Sequence, residues 1–141
     1  MKQSNYTYTF KTGKPTEQVL KILLDVKHWW SGLYEETITG SSQNVGDEFI
    51  FKAGGGAHYT EQRLVELIPN KSVVWLITRS NLSFLNHPSE WEGTKIRFDL
   101  TSDGENTNVI FTHEGLVDLL ECYGTCSTAW TGYLSKLKDE L

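Results

Sequence analysis

The chain has 141 residues, of which 38% are hydrophobic and 22% charged, so its length and composition fit one folded domain over residues 1–141 and exclude wholesale disorder. The 13 basic and 18 acidic residues leave a net charge of −5, which repels phosphate backbones and disfavours nucleic acid as a partner. Five Trp, six Tyr and six Phe supply enough ring surface for a wide core or for a ligand cavity.

The N-terminal part of the chain predicts a strand followed by one or two short helices. Residues 5–12 alternate between aromatic and polar side chains, which is the pattern of a half-buried strand. Pro15 suits the first turn of a helix, and apolar residues recur at helical spacing over 15–26. Residues 28–32 predict a second short helix or turn.

Two adjacent tryptophans, Trp29 and Trp30, lie in this second short segment. Successive residues of a helix point in different directions, because a turn takes 3.6 residues. We therefore expect one of the two rings to pack inward and the other to lie at the mouth of a cavity or on the surface.

The middle of the chain predicts a run of antiparallel strands with short connections. Gly54–Gly56 is typical of a hairpin connection, because glycine tolerates positive φ, and it lacks the features of a phosphate-binding loop. Residues 80–91 read as a polar loop. The predicted strands are 36–41, 48–52, 58–68, 73–77, 95–101 and 108–114.

The C-terminal segment predicts one long helix over residues 118–141. Apolar side chains recur there every three or four residues and form one continuous stripe. Together the elements give an α+β domain in which the last helix lies in the concave side of a curved sheet. The stripe consists of Tyr123, Cys126, Trp130, Leu134, Leu137 and Leu141.

The chain begins without an apolar leader, and none of its apolar runs approaches the roughly 20 residues of a membrane span. We therefore expect a cytoplasmic protein with no membrane insertion. In that compartment Cys122 and Cys126 are expected to be two small reduced thiols, since their spacing is not that of a redox motif. The four histidines lack metal-ligand spacing, and we expect neither a metal nor a cofactor.

Five segments, in order, resemble the START-like (SRPBCC) superfamily and within it the AHSA-type domains, named for homology to an activator of a heat-shock chaperone ATPase. Each segment is a short pattern of apolar, aromatic and glycine residues, and together they span nearly the whole chain. They are Leu24–Trp30 (LDVKHWW), Val45–Phe49 (VGDEF), Val65–Trp75 (VELIPNKSVVW), Gly93–Leu116, which closes on THEGL, and Trp130–Leu137 (WTGYLSKL).

The resemblance implies a helix-grip fold, in which a curved antiparallel sheet is wrapped around the long C-terminal helix with a cavity between them. Members of the superfamily bind lipids, sterols, polyketides or plant hormones. We therefore expect non-catalytic binding of a small apolar or amphipathic molecule, lipid-like or polyketide-like, and we leave a homodimer open. The expected cavity lining is Trp29, Phe51, His58, Trp75, Phe98, Phe111, His113, Cys126 and Trp130.

Two other functions stay open at this point. A polyketide-cyclase-like enzyme would use His58 or His113 to handle a proton, although a buried histidine hydrogen-bonded to the backbone is the commoner role for His113. A chaperone-interacting module of co-chaperone type is the other alternative that the resemblance suggests.

Overall fold

The computed structural model describes residues 5–117 and 119–141, which form a seven-stranded sheet and three helices. A short turn of tighter helix at Gly54–Gly56 joins the third and fourth strands. The elements in chain order are β1 (Tyr6–Thr12), α1 (Thr16–Leu24), α2 (Val26–Trp29), β2 (Thr37–Gly40), β3 (Glu48–Ala53), β4 (His58–Ile68), β5 (Ser72–Leu82), β6 (Lys95–Asp103), β7 (Asn106–Glu114) and α3 (Tyr123–Glu140).

The sheet is antiparallel throughout, with the spatial order β1-β7-β6-β5-β4-β3-β2. The first strand pairs with the last, so that Tyr6 lies opposite His113. The register of β4 against β5 shifts twice, between Glu61 and Gln62 and again between Leu64 and Glu66. Such irregularities bend a sheet and increase its twist, which helps this sheet to curl.

Helix α3 lies in the concave side of the curled sheet and buries Cys126, Trp130, Tyr133, Leu134 and Leu137 there. The Trp130 ring lies 4.7 Å from the Phe111 ring of β7. At the sheet edge, the hydroxyls of Tyr6 and Thr131 are 2.6 Å apart, and this hydrogen bond fixes α3 against β1. The predicted α+β helix-grip fold is confirmed.

The structure extends one predicted strand and shortens the predicted last helix. Strand β5 continues to Leu82 and pairs with β4 as far as His58, so the start of the predicted 80–91 loop belongs to the sheet. Ser80 is buried in this extension of the strand. Its hydroxyl is satisfied there, because it donates to the carbonyl oxygen of Pro88 at 2.9 Å. Helix α3 begins at Tyr123; position 118, where the sequence predicted its start, lies outside the described residues.

The expectation that only one ring of the tryptophan pair packs inward is wrong. Trp29 and Trp30 are 1% and 2% exposed, and their rings stack 5.8 Å apart at 10°. Helix α2 ends at Trp29, and Trp30 leaves helical geometry with φ −95 and ψ 54. Because the backbone turns between them, both rings point into the interior.

The expectation of two reduced thiols is also corrected, because the structure joins Cys122 and Cys126 in a disulfide. Cys122 precedes the first residue of α3, so the pair spans the start of the helix. The two Cα atoms are 5.4 Å apart, within the range that a disulfide bridges. Both residues are buried, at 0% and 4% exposure.

Candidate ligand-binding cavity

A cavity of about 360 Å³ lies between α3, the segment after α2, the hairpin from β3 to β4, and the loop before β6. Cavities of this size accommodate small organic molecules. Its lining residues are Trp30, Tyr34, Phe51, Ala53, Gly54, Ala57, His58, Phe84, Trp91, Thr125, Cys126, Ala129, Trp130 and Tyr133.

The cavity has a buried floor and an exposed aromatic rim. Trp30, Phe51 and Trp130 form part of the floor and are almost fully buried. Tyr34 and Phe84 also line the cavity but are 48% and 49% exposed, so the wall reaches the molecular surface at these two residues. Exposed aromatic side chains next to an apolar cavity are typical of an entrance.

Stacked rings build the floor. Trp30 stacks on Phe51 with ring centroids 4.1 Å apart and on Trp130 at 5.0 Å. The ring of Trp91 lies nearly parallel to that of Trp130, at 6.1 Å and 8°. The floor thus consists of aromatic rings that are stacked on one another.

A hydrogen-bond chain joins the Trp130 indole to the backbone of Trp91. The indole N–H of Trp130 donates to Nδ1 of His113 at 3.0 Å, which leaves the imidazole proton on Nε2. That nitrogen donates to the Thr94 hydroxyl at 2.9 Å, and the hydroxyl donates to the carbonyl oxygen of Trp91 at 2.6 Å. Burial lowers the pKa of His113 to about 3, with a smaller contribution from repulsion by His58 when that residue is protonated, so the His113 imidazole is neutral near pH 7.

Gly115 allows Thr94 to approach His113. Its φ of 102° is a conformation that L side chains rarely adopt, and a Cβ placed there would lie 2.6 Å from Cγ2 of Thr94. The glycine of the sequence segment THEGL therefore has a specific packing role next to the histidine of the same segment.

His58 differs from His113 because its Nδ1 is buried without a hydrogen-bond partner. Its ring contacts the rings of Phe51 at 5.2 Å and Trp91 at 5.0 Å. Burial lowers the pKa of the His58 imidazole to about 4, so it too is neutral near pH 7. Trp91 Nε1 is likewise buried without a partner. Buried side-chain polar atoms without partners are rare in folded proteins, and two of the four found among the described residues lie on cavity-lining rings.

Glu36 holds the segment after α2 against α3 beside the cavity. Its carboxylate accepts hydrogen bonds from the backbone N–H groups of Gly32 and Tyr34, both at 2.8 Å, and from the Tyr133 hydroxyl. Burial acts to raise the pKa of Glu36, but these donors outweigh it and the pKa is lowered. Burial and the bonded carboxylate both raise the pKa of Tyr133.

The nine residues expected from the sequence to line the cavity separate into two groups. Four of them lie in the wall: Phe51, His58, Cys126 and Trp130. The other five lie in the packed core away from the cavity surface: Trp29, Trp75, Phe98, Phe111 and His113. They are displaced because the rings of Trp29, Trp75 and Phe98 fill the space over β5 and β6 with edge-to-face and tilted contacts.

Sequence reasoning missed several wall residues, chiefly Trp30, Phe84 and Trp91. Phe84 and Trp91 follow the strand that continues to Leu82, and both lie within the stretch 80–91 that the sequence predicted to be a polar loop. Large aromatic residues in an otherwise polar segment were the available signal, since such rings need an apolar surface to cover.

Within 5–117 and 119–141, the structure contains no group of three or more His, Cys, Asp or Glu side chains arranged to hold a metal ion. None of the helices in the same described part of the chain is long and apolar enough to cross a membrane.

A curled antiparallel sheet wrapped around a C-terminal helix defines the START-like helix-grip class of domain. Residues 14–141 match the family model described as "Activator of Hsp90 ATPase homolog 1-like protein", and the chain belongs to this AHSA1 family. Proteins of this fold family commonly bind hydrophobic ligands.

Solved structures of similar proteins share this fold. The solution structure of the Aha1 dimer from Colwellia psychrerythraea is 29% identical, has a TM-score of 0.75, and the match covers 98% of this chain and 96% of that one. The AHSA1 protein from Silicibacter pomeroyi shares 16% identity with a TM-score of 0.69 over 97% and 96% of the two chains. CalU16 from Micromonospora echinospora shares 14% identity with a TM-score of 0.60 over 93% and 71%. No curated protein matches the sequence.

Proposed function

We propose that the protein binds a small apolar or amphipathic molecule in the cavity between the sheet and α3. The observation that carries this proposal is the cavity of about 360 Å³, whose wall is almost entirely aromatic and aliphatic. Burial of apolar ligand surface in such a wall supplies about 25 cal/mol per Å², and a few polar groups then fix the orientation. The exposed rings of Tyr34 and Phe84 supply an entrance.

A matched pair of variants on α3 tests the proposal. Ala129 lines the cavity, whereas Ser135 lies on the exposed face of the same helix. A129F places a ring in the cavity, and S135F adds the same ring outside it. The probe is the neutral dye N-phenylnaphthylamine, whose fluorescence rises in apolar surroundings.

We expect saturable dye binding by the wild-type protein and by S135F, and binding weakened by about tenfold or more in A129F. Thermal unfolding of both variants shows whether each is folded. Absence of saturable binding to the wild-type protein, or equal binding by A129F and S135F, would overturn the proposal.

A chaperone-activating role is the second candidate, and the description of the family model favours it. The test is the ATPase rate of a purified Hsp90-type chaperone with and without the protein, together with co-purification of the two. A second copy of the chain is a further proposed partner, supported by the description of the Colwellia protein as a dimer.

The cyclase-like alternative now depends on His58. His113 uses both ring nitrogens in the chain that joins Trp130 to Thr94, so it has no free site for a substrate proton. His58 lines the cavity and has an unpartnered Nδ1. If the protein turns over an aromatic polyketide and H58Q loses this activity, the result would favour the enzyme over binding alone.

A further inference from the structure

Two segments carry the exposed rings at the entrance of the cavity. Tyr34 belongs to residues 31–36, which lie between α2 and β2, and Phe84 belongs to residues 83–94, which connect β5 to β6. They are called here the α2–β2 segment and the β5–β6 loop. Loops at the rim of a buried site commonly move to admit a ligand. How each of the two is held in place determines which one moves.

The β5–β6 loop is fixed to the start of α3 by two carboxylates. Glu121 accepts hydrogen bonds from the backbone N–H groups of Asn86 and His87, at 2.8 and 2.9 Å. In return, Glu90 of the loop accepts from the backbone N–H groups of Glu121 and Cys122, at 3.2 and 2.8 Å. Hydrogen bonds to a charged acceptor are among the stronger ones in proteins. Movement of this loop away from α3 would break all four of these bonds.

The two segments also differ in how much apolar surface they bury. The β5–β6 loop carries Trp91, which is 2% exposed, so displacement of the loop exposes an indole to water. Within the described residues 31–36, none is buried, and the large apolar side chains Leu33 and Tyr34 are 41% and 48% exposed. Displacement of the α2–β2 segment therefore costs less burial than displacement of the loop.

Glu36 makes the α2–β2 segment a compact unit. Its carboxylate accepts hydrogen bonds from the backbone N–H groups of Gly32 and Tyr34, both at 2.8 Å, and also from that of Leu33. These bonds lie within the segment, so they do not oppose its displacement as a whole. The backbone of the segment contains two positive φ angles, 90° at Gly32 and 54° at Glu35. Glycine adopts such a conformation freely, whereas at Glu35 it costs free energy that a movement of the backbone releases.

Few bonds join this unit to elements that are distant along the chain. Among the described residues they are three hydrogen bonds, from the Tyr133 hydroxyl to the Glu36 carboxylate, from Lys136 Nζ to the Ser31 carbonyl oxygen at 3.1 Å, and from the Gly54 N–H to the Tyr34 carbonyl oxygen at 2.9 Å. The first two come from α3 and the third from the hairpin between β3 and β4. The rings of Tyr34 and Tyr133 contact each other at 6.1 Å, and both line the cavity. Separation of the segment from α3 therefore opens the wall between these two rings.

We propose that residues 31–36 are the gate of the cavity, that the Tyr133 hydroxyl and the Lys136 ammonium hold this gate against α3, and that the β5–β6 loop stays in place while a ligand enters. The gate moves as the unit that Glu36 organises. Its bond to Gly54 can persist, because Gly54 belongs to the hairpin and not to α3. The inference rests on the proposed binding function and specifies the route to its site.

The exchange kinetics of N-phenylnaphthylamine test the gate, because a ligand passes it on entry and on exit. Y133F removes one bond between the gate and α3 and keeps the ring in the wall. K136M removes the other bond, and Lys136 lies outside the wall. E121A is the matched control, because it removes two of the bonds that hold the β5–β6 loop and leaves the gate unchanged. Stopped-flow mixing measures the association rate constant, and dilution of the complex measures the dissociation rate constant.

A gate that is open more often should accelerate entry and exit equally. We therefore expect the association and dissociation rate constants to rise together, by about tenfold in Y133F and by a smaller factor in K136M, while the Kd stays near the wild-type value. E121A should keep both wild-type rate constants. Thermal unfolding shows whether each variant is folded, and K136M decides the matter if Y133F does not fold.

The possible results separate this inference from the proposed function. Unchanged rate constants in both Y133F and K136M overturn the gate, as does an equal or larger rise in E121A, which would place entry at the β5–β6 loop. A faster dissociation in Y133F alone, with a correspondingly weaker Kd, also overturns it, because the hydroxyl would then hold the ligand and not the gate. Each of these results leaves the binding function standing, whereas absence of saturable dye binding to the wild-type protein overturns both.

Discussion

The indole Nε1 of Trp130 and the imidazole Nδ1 of His113 lie 3.0 Å apart and join α3 to β7 inside the core. The two residues are 1% and 0% exposed, so no water is available to replace either partner. The same indole forms part of the cavity floor. The position of that floor is thus fixed by a bond between the helix and the sheet that wraps it.

Removal of the Trp130 indole N–H should destabilise the fold. W130F leaves His113 Nδ1 buried without a donor, and we expect a loss of about 1–3 kcal/mol in the free energy of unfolding beyond the effect of the smaller ring. W91F is the matched control, because its indole N–H has no partner to lose. Urea denaturation of the two variants measures the difference, and equal losses would contradict the importance of the bond.

Stability should fall as the pH is lowered from 7 toward 5. The pKa values of His58 and His113 are lowered by burial from 6.5 to about 4 and about 3, so between these values and 6.5 the unfolded chain binds protons that the folded protein does not. The stabilisation that these two neutral imidazoles contribute is complete above about pH 6.5 and is lost as the pH falls. The free energy of unfolding then changes by up to about 3 kcal/mol per pH unit for two protons.

Urea midpoints measured at intervals between pH 5 and 8 check this dependence. The lowered pKa values of Glu36 and Asp47 act in a more acidic range, below their ordinary values of 4.5 and 3.8. H58Q removes one of the two histidines and should reduce the slope to about half. A midpoint that stays constant from pH 7 to 5 would show that the two imidazoles protonate in the folded state.

The sequence predicts the sheet well and the cavity poorly, for physical reasons. Alternation of apolar and polar residues identifies a strand such as β6 or β7 because a half-buried sheet requires that pattern. The second half of β5 does not show this pattern, because the polar residue Ser80 is buried there. Its hydrogen-bond partners are the carbonyl of Pro88 and the carboxylate of Glu92, which come close only in the folded protein. Residue type alone cannot reveal such partners.

The cavity wall depends on how distant segments meet. Phe98 and Phe111 have the residue type and strand face of wall residues, yet they are packed against each other at 5.1 Å in the filled part of the core. Trp91 has no periodic pattern around it and nevertheless completes the wall. Which rings fill space and which enclose it is determined by the curvature of the sheet and the position of α3, and single-sequence patterns carry neither.

Gly115 should tolerate alanine less well than Gly46. Both have positive φ, 102° and 99°, so alanine introduces a similar backbone strain of about 1 kcal/mol at each. A Cβ at Gly115 also meets Cγ2 of Thr94 at 2.6 Å, whereas nothing lies within 4 Å of a Cβ at Gly46. We expect G115A to lose about 1–3 kcal/mol more stability than G46A, because Thr94 must move and its bond to His113 is disturbed. Similar thermal midpoints for the two variants would contradict this role.

The Cys122–Cys126 disulfide should resist alkylation and contribute to stability. Iodoacetamide applied to the denatured protein without reductant should leave its mass unchanged, and prior reduction should allow two alkylations. Closing so short a loop contributes about 2 kcal/mol in the chain-entropy treatment, so reduction should lower the urea midpoint. The double variant C122A/C126A is the control, because its midpoint should not respond to reductant.

The location of this disulfide connects its redox state to the cavity. Cys126 lines the cavity, and the backbone N–H of Cys122 donates to a carboxylate oxygen of Glu90 at 2.8 Å, which ties the start of α3 to the loop that carries Trp91. Reduction frees the two side chains at this junction, and we expect it to weaken binding of N-phenylnaphthylamine in the wild-type protein and to leave binding by C122A/C126A unchanged. Alkylation of both thiols without reductant would show instead that the protein holds reduced cysteines, because a disulfide cannot react with iodoacetamide.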